Sequence, residues 1–233
     1  PGWKCDFFKV TPVEGKGTGE SLQHFPLQRG DIALADRGYC HASGIHHAAK
    51  QQSSLIVRLN PDGIILQTKT GAKFPLLAKL KAMQQTGAMT AWGVWVPYAD
   101  QTPVKMRLCM VRKSKAAIAL AHKKLLRKAS KMGSKLQPRT LIYAEYVMVL
   151  TTLPEGEFGV DAVLQTYRFR WQIELVFKRF KQVAQLGHIP KHDPDTARAW
   201  LYGKLFVALL TEKILQQARA FSPWGYDIQA QAQ

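Results

Sequence analysis

Four polar residues in the last third of the chain share one face of a predicted helix. Residues 160–185 follow helical periodicity, and at roughly 100° per residue four side chains fall within an arc of about 60°: Tyr167, Arg170, Glu174 and Lys181. One interpretation is a solvated helix face, in which each ion pair contributes about 0.2–0.5 kcal/mol. The other is a metal-binding carboxylate beside cations that hold the phosphates of a nucleic acid.

A second acidic residue, Asp36, follows a compact apolar run at residues 32–35. The run predicts a buried strand, and α/β sheets bind their ligands at the carboxyl ends of strands. Gly38 permits a tight turn there, so that Asp36 can point into a cleft. The alternative is that Asp36 caps the helix that follows, because Asp is a favoured residue at that position.

The elements that would position these residues alternate between strand and helix. The first half of the pattern predicts strand, helix and strand at 32–35, 39–52 and 54–59, which is typical of a parallel βαβ unit. The remaining predicted strands are 5–13, 63–68, 91–97, 104–111 and 140–150, and the remaining helices are 21–25, 114–131, 160–185 and 196–221. Residues after Pro223 are expected to be loose. We therefore predict an α/β fold with a β-rich insertion and C-terminal helices.

The charge of the chain favours a polyanionic partner. There are 33 Lys and Arg residues against 16 Asp and Glu, a net charge of +17. Lys and Arg replace the counterions condensed along nucleic-acid phosphates, although a merely basic or ribosome-associated protein has the same balance. Between Lys105 and Arg139 there are twelve Lys and Arg residues and no acidic residue, which favours DNA contact over a solvated face of mixed charge.

Cysteine usage and hydropathy indicate the compartment. The three cysteines are odd in number and scattered, which is typical of a reducing environment and argues against a disulfide framework or a zinc ribbon. No signal peptide and no apolar run of membrane-spanning length is present. We expect a cytoplasmic protein that has no membrane partner.

Together these residues resemble the DDE transposases of bacterial insertion sequences, in the branch with a Tyr-x2-Arg-x3-Glu-x6-Lys signature. Every spacing of that signature is met, and Asp36 to Tyr39 resembles the Asp-x-Gly-Tyr segment of the family. Residues 57–59, 150–154 and 168–181 also resemble family text, so that the resemblance covers most of residues 1–187. It implies a ribonuclease H-like fold, here N-terminally incomplete: a first core part at 1–60, a β-rich, basic insertion at 61–139, a second core part with the catalytic helix at 140–192, and a C-terminal helix and tail at 193–233.

The resemblance also implies a bacterial, nucleoid-associated protein and a role for each site residue. Asp36 and Glu174 would be catalytic carboxylates that bind Mg²⁺, for which Mn²⁺ could substitute. The family uses three carboxylates, and since Asp6, Asp31, Asp62 and Asp100 lack the right context, we expect the first to lie before Pro1. The residues implied to contact DNA are Tyr167, Arg170, Lys181, Arg37, Lys178 and Trp171. Trp171 would stack on a base, or else belong to the core.

Three functions follow from this interpretation. The first is the catalytic region of a transposase that acts on double-stranded DNA as a homodimer on paired transposon ends, inactive in isolation without its first Asp. The second is a remnant that binds DNA without chemistry. The third is a ribonuclease H-like nuclease unrelated to transposition, which would cut without joining ends.

Overall fold

The computed structural model describes residues 21–183 and 193–220, together with positions 7, 9, 19 and 185. The predicted strand at 5–13 and the tail after Pro223 lie almost entirely outside these residues. The described strands are β1 (Ile32–Ala35), β2 (Ser54–Arg58), β3 (Met89–Tyr98), β4 (Gln101–Arg112) and β5 (Tyr146–Thr151). The helices are α1 (Ala42–Lys50), α2 (Leu76–Ala82), α3 (Lys115–Lys131), α4 (Pro138–Ala144), α5 (Val160–Arg168), α6 (Trp171–Val183) and α7 (Pro194–Ala220), with 3₁₀ turns at Leu22–His24 and Arg37–Tyr39.

The predicted βαβ unit is confirmed. β1 and β2 are parallel, with Ile32 opposite Ser54 and Ala35 opposite Val57, and α1 connects them. Alternate residues of β2 enter two different hydrophobic clusters: Leu55 belongs to one, and Ile56 belongs to the other. Because successive side chains of a strand point to opposite faces, the sheet is covered on both sides.

The five described strands form one sheet in the order β1-β2-β5-β4-β3. β5 pairs antiparallel with β2 on one side and with β4 on the other, and β4 forms a hairpin with β3. The two strands at residues 89–112 thus extend the sheet that carries Asp36. The division into segments at 60/61, 139/140 and 192/193 stays a prediction.

Two predicted strands are corrected. Residues 140–150 begin as a helix, α4, because Pro138 in its first turn loses no hydrogen bond there and starts the helix with a fixed φ; the strand begins only at Tyr146. Residues 63–68 form no strand: Gln67 alone makes isolated bridges, to Lys73 and to Trp95.

The predicted helix at 160–185 is two helices. α5 ends at Arg168 and α6 begins at Trp171. Between them the backbone N–H groups of Phe169 and Arg170 donate to the carbonyls of Thr166 and Tyr167, three residues earlier, a tightening typical of a helix end. The prediction that one helix face runs from Tyr167 to Lys181 was therefore wrong, because it assumed one uninterrupted helix.

The chain forms two compact units. One comprises Lys9–Arg170 and contains the sheet; the other contains α6 and α7.

Two helices begin at capping side chains. α3 starts at Ser114, whose side chain accepts the N–H of Ala117 at 3.3 Å, and α7 follows Asp193, whose carboxylate accepts the N–H of Thr196 at 2.8 Å. Both starts were predicted. Within the described ranges, no helix combines the length and the apolar character that crossing a bilayer requires.

Candidate functional site

Asp36 lies directly after β1, at the edge of the sheet where β1 and its parallel neighbour β2 both end. It precedes the 3₁₀ turn Arg37–Tyr39, and its backbone carbonyl accepts the N–H of Tyr39 at 3.0 Å. Its side chain makes no capping hydrogen bond. The carboxylate, 45% exposed, is therefore available for other contacts, and capping does not explain it.

Tyr167 and Arg170 both contact the carboxylate of Asp36. The hydroxyl of Tyr167 donates to Oδ1 at 3.3 Å, and Nη1 of Arg170 lies 3.6 Å from Oδ2. The guanidinium of Arg170 also lies 5.8 Å from the centre of the Tyr167 ring, within the range of a cation–π interaction. Asp36 was selected from the sequence separately from Tyr167 and Arg170, and the three residues form one group, which we call the Asp36 cluster.

α5 fixes the position of Tyr167. The residue is only 8% exposed and packs in the second hydrophobic cluster with Ile56 of β2, Val149 of β5 and Val163 of its own helix. Because Val163 and Tyr167 are four residues apart, they share the helix face that covers the sheet. The ring is held by the core, and only the hydroxyl reaches the sheet edge.

The surroundings of Tyr167 keep its hydroxyl protonated. Burial, and after it the negative charge of Asp36, raise the pKa of Tyr167 to about 12 against the opposing charges of Arg170 and Arg58. A neutral phenol donates a hydrogen bond at physiological pH and is a poor base or nucleophile. Tyr167 is suited to orienting the carboxylate.

The remaining predicted residues of the signature lie on α6, in the other unit. Glu174, Lys178 and Lys181 are all exposed, and their spacing of four and three residues places them on one side of α6. Trp171 is 56% exposed, so the structure does not place it in a core. Since α6 belongs to a different unit from Asp36, a metal ion shared by Asp36 and Glu174 stays a prediction.

The ligand chemistry of the Asp36 cluster fits a divalent cation only in part. An exposed carboxylate oxygen is the type of ligand that Mg²⁺ prefers. No group of three or more His, Cys, Asp or Glu side chains within the described residues is arranged to hold a metal ion. Both oxygens of Asp36 also face donors, so an ion bound there would share them with Tyr167 and Arg170.

Two cations near this edge, Arg58 and Lys113, were not predicted as site residues from the sequence, and Arg37 was predicted only as a DNA contact. Arg58 ends β2 and acts electrostatically on both Tyr167 and Lys113, the residue after β4. Arg37 donates to Oδ1 of the Asn60 side chain from Nε at 3.2 Å and from Nη2 at 2.9 Å. The sequence did contain a signal for Arg58, since it is a basic residue at the end of β2, and β2 runs parallel to β1, the strand that Asp36 follows.

Comparison with known proteins points in one direction. A family model described as "Transposase DDE domain" matches residues 14–210. The transposase for insertion sequence element IS421 of Escherichia coli is 31% identical over 223 residues, which cover 94% of this chain and 60% of that protein. The transposase for insertion sequence element IS231F of Bacillus thuringiensis subsp. israelensis is 22% identical over 208 residues, 83% of this chain and 43% of that protein. The chain thus spans less than two thirds of the length of these relatives.

Proposed function

The chain belongs to the DDE-domain transposases of bacterial insertion sequences, and from this premise we propose that it is the catalytic region of such an enzyme. In this proposal it has a ribonuclease H-like fold, binds double-stranded DNA in the bacterial cytoplasm, and cleaves and joins strands at transposon ends. The observation that carries the proposal is the Asp36 cluster. Residues 131 positions apart meet there, at the sheet edge where α/β folds place their chemistry.

Within this cluster each side chain has a distinct task. Tyr167 orients the carboxylate by donating to Oδ1, and Arg170 holds the other oxygen. A guanidinium is suited to phosphate recognition, and Arg170 would contact a phosphate of a DNA strand beside Asp36. Further contacts with DNA would come from Arg37, Lys178, Lys181 and Trp171.

The proposed metal ligands are Asp36 and Glu174, with Mg²⁺ as the ion and Mn²⁺ as its substitute. A bound divalent ion would supply Lewis-acid stabilisation of the charge that develops in phosphoryl transfer. Asp36 offers an oriented, partly exposed carboxylate for this, and Glu174 offers an exposed carboxylate.

The sheet supports the ribonuclease H-like part of the proposal. Among the described strands, β1 is at the end of the order and pairs only with β2. A further strand that paired along the other side of β1 would bring its own carboxylate next to Asp36. We propose that the first Asp of the family pattern belongs to such a strand, and that the 233-residue chain alone binds DNA without cutting it.

Metal-directed cleavage of the polypeptide tests the metal site without requiring enzymatic activity. Fe²⁺ replaces Mg²⁺ at oxygen-ligand sites and, with ascorbate and peroxide, breaks the nearby backbone. We expect backbone cuts near residues 36 and 174. Added Mg²⁺ should suppress these cuts, and either Asp36→Asn or Glu174→Gln should abolish them. Glu157→Gln is the matched control, because Glu157 is exposed and lies outside the Asp36 cluster. An unchanged pattern in Asp36→Asn would show that Asp36 does not bind the ion.

DNA assays separate the proposal from its two alternatives. The proposal expects the chain to bind duplex DNA with salt-dependent affinity and, when extended by a strand that carries the first Asp of the family pattern, to nick and join ends with Mg²⁺. A remnant would bind DNA but would not nick it even when extended. A nuclease would nick without strand-transfer products. Glu174→Gln should abolish cleavage in the extended chain while DNA binding persists.

A further inference from the structure

A cationic cavity adjoins the Asp36 cluster at the same edge of the sheet. Its volume is about 250 Å³, and it lies where β2 and β4 end, beneath residues of α3 and α4. All of its lining residues belong to the unit Lys9–Arg170. A water molecule occupies about 30 Å³ in the liquid, so the cavity has room for a hydrated phosphate group.

Four cationic side chains line this cavity against one acid. The cations are Arg37, Arg58, Lys113 and Lys124, and the acid is Asp62. Asp62 is already engaged, because one of its oxygens lies 3.3 Å from the guanidinium of Arg139. The cavity therefore has an excess of positive charge that its own lining does not neutralise.

The cations differ in how far the protein itself satisfies them. Lys113 donates to the carbonyl of Ala144 at 2.6 Å, and Arg37 donates to Asn60. The side chain of the half-buried Arg58 makes no hydrogen bond or ion pair within the part of the chain that the structure describes. Because the Arg58 guanidinium lines the cavity and has no acceptor from the protein, it is suited to an acceptor that comes from outside the chain.

The position of Arg58 also makes the cavity electrostatically strained in the absence of an anion. Burial lowers the pKa of Lys113, and the neighbouring charge of Arg58 lowers it further. Leu59 and Met148 contribute apolar surface to the same cavity, which reduces the screening of charges by water. An anion would relieve the repulsion between Arg58 and Lys113 and would be held strongly for the same reason.

We propose that this cavity binds one backbone phosphate of a DNA strand, a few nucleotides from the phosphate at the Asp36 cluster. Arg58 and Lys113 contact the phosphate from the sheet, and Lys124 contacts it from α3. Arg37 connects the two places, because it follows Asp36 directly and also lines the cavity. The inference rests on the proposed function for the identity of the polyanion, and it assigns to the cavity the task of fixing the register of the strand.

Salt dependence of DNA affinity tests the number of phosphates that the cavity binds. Each neutralised phosphate of duplex DNA contributes about −0.9 to the slope of log K against log salt concentration. We expect Arg58→Gln and Lys124→Gln each to weaken binding, and the double variant to flatten the slope by no more than about 1 in total, because both residues hold the same phosphate as Lys113. A flattening of about 2 would mean two separate phosphates and would overturn the proposal.

Lys123→Gln is the matched control. Lys123 precedes Lys124 on α3, is equally exposed and does not line the cavity. We expect this variant to retain the wild-type slope. Equal losses from Lys123→Gln and Lys124→Gln would show that α3 presents diffuse charge, and the cavity would then carry no specific contact. Urea unfolding of each variant checks that the fold is retained, which Lys124→Gln should leave unchanged because Lys124 is exposed.

Inorganic phosphate distinguishes failure of this inference from failure of the proposed function. At constant ionic strength, phosphate should raise the Tm of the wild-type chain relative to chloride and should raise that of Arg58→Gln less. DNA binding with identical slopes in all variants would refute the cavity and leave the proposed function intact. Phosphate stabilisation without any DNA binding would refute the assignment to DNA and the proposed function together.

Discussion

Removing the hydroxyl of Tyr167 separates its packing role from its contact with Asp36. Tyr167→Phe keeps the ring, which is 8% exposed and packs between α5 and the sheet. The substitution deletes only the O–H group that donates to Asp36. Tyr167→Ala deletes the ring as well, so the two variants measure the two roles separately.

The structure sets the size of each effect. A hydrogen bond to a charged group contributes about 1.5–3 kcal/mol. The hydrogen bond from Tyr167 to Asp36 is 3.3 Å long, and the Asp36 side chain that accepts it is 45% exposed. Because water can replace much of this hydrogen bond, we expect Tyr167→Phe to lower the free energy of unfolding by about 0.5–1 kcal/mol. Truncation of a buried aromatic ring costs about 3–5 kcal/mol, and we expect that loss in Tyr167→Ala.

The pH dependence of the free energy of unfolding gives a second, independent measure of the environment of the Tyr167 hydroxyl. The pKa of Tyr167 is about 12 in the folded chain against 10.0 for an ordinary tyrosine, which corresponds to roughly 3 kcal/mol of stability. Because the folded pKa is raised, this stability is fully present below pH 10 and is lost as the pH rises through the folded pKa. Tyr167→Phe should remove that part of the alkaline loss.

Urea unfolding followed by tryptophan fluorescence measures both effects, at neutral pH and again in the alkaline range. In an alkaline titration of the folded protein followed by tyrosinate absorbance, Tyr167→Phe should show one late-titrating tyrosine fewer than the wild-type chain. A cost for Tyr167→Phe as large as that for Tyr167→Ala would refute the separation of roles. An alkaline loss of stability that persists in Tyr167→Phe would refute the raised pKa and its cause.

Two further substitutions test other parts of the unit that carries Asp36. The hydroxyl of the buried Tyr146 lies 2.8 Å from the carbonyl oxygens of Leu80 and Met83, so Tyr146→Phe should cost about 1–3 kcal/mol in urea unfolding, and a neutral result would show that water satisfies both carbonyls. Ser114 caps α3; Ser114→Ala should cost about 1 kcal/mol and reduce helical circular dichroism, whereas Ser114→Asp should retain the cap, and equal losses in both variants would contradict the capping role.

Elements with strong local signals could be predicted from the sequence. β1 and β2 are short apolar runs between polar residues, and α3 and α7 each begin at a capping side chain that the structure confirms. The misses share a physical cause, which is that tertiary packing decided between two local possibilities. The residues before Tyr146 are β-branched and aromatic, yet they form α4, where Ile142 and Tyr143 pack against the core.

The candidate site was predictable to the extent that its residues carry chemistry at characteristic positions. Asp36 was found from its place after a buried strand, and Tyr167 and Arg170 were found from their spacing. Arg58 and Lys113 were missed because they are adjacent only through the pairing of β2 with β5 and of β5 with β4. Sequence periodicity contains no information on which strands become neighbours in that order.

The break after α5 explains why Tyr167 and Arg170 are separated by two residues. The backbone N–H of Arg170 donates to the carbonyl of Tyr167 at 3.1 Å, so the tight turn returns the chain over the residue three positions earlier. This geometry brings the guanidinium of Arg170 within 5.8 Å of the Tyr167 ring and directs both side chains to the same carboxylate. An insertion of one residue would rotate Arg170 away by about 100°, even if the DNA contacts were otherwise unchanged. The spacing of Tyr167 and Arg170 therefore follows from the geometry of the Asp36 cluster, whereas Glu174 and Lys181 lie on a different helix.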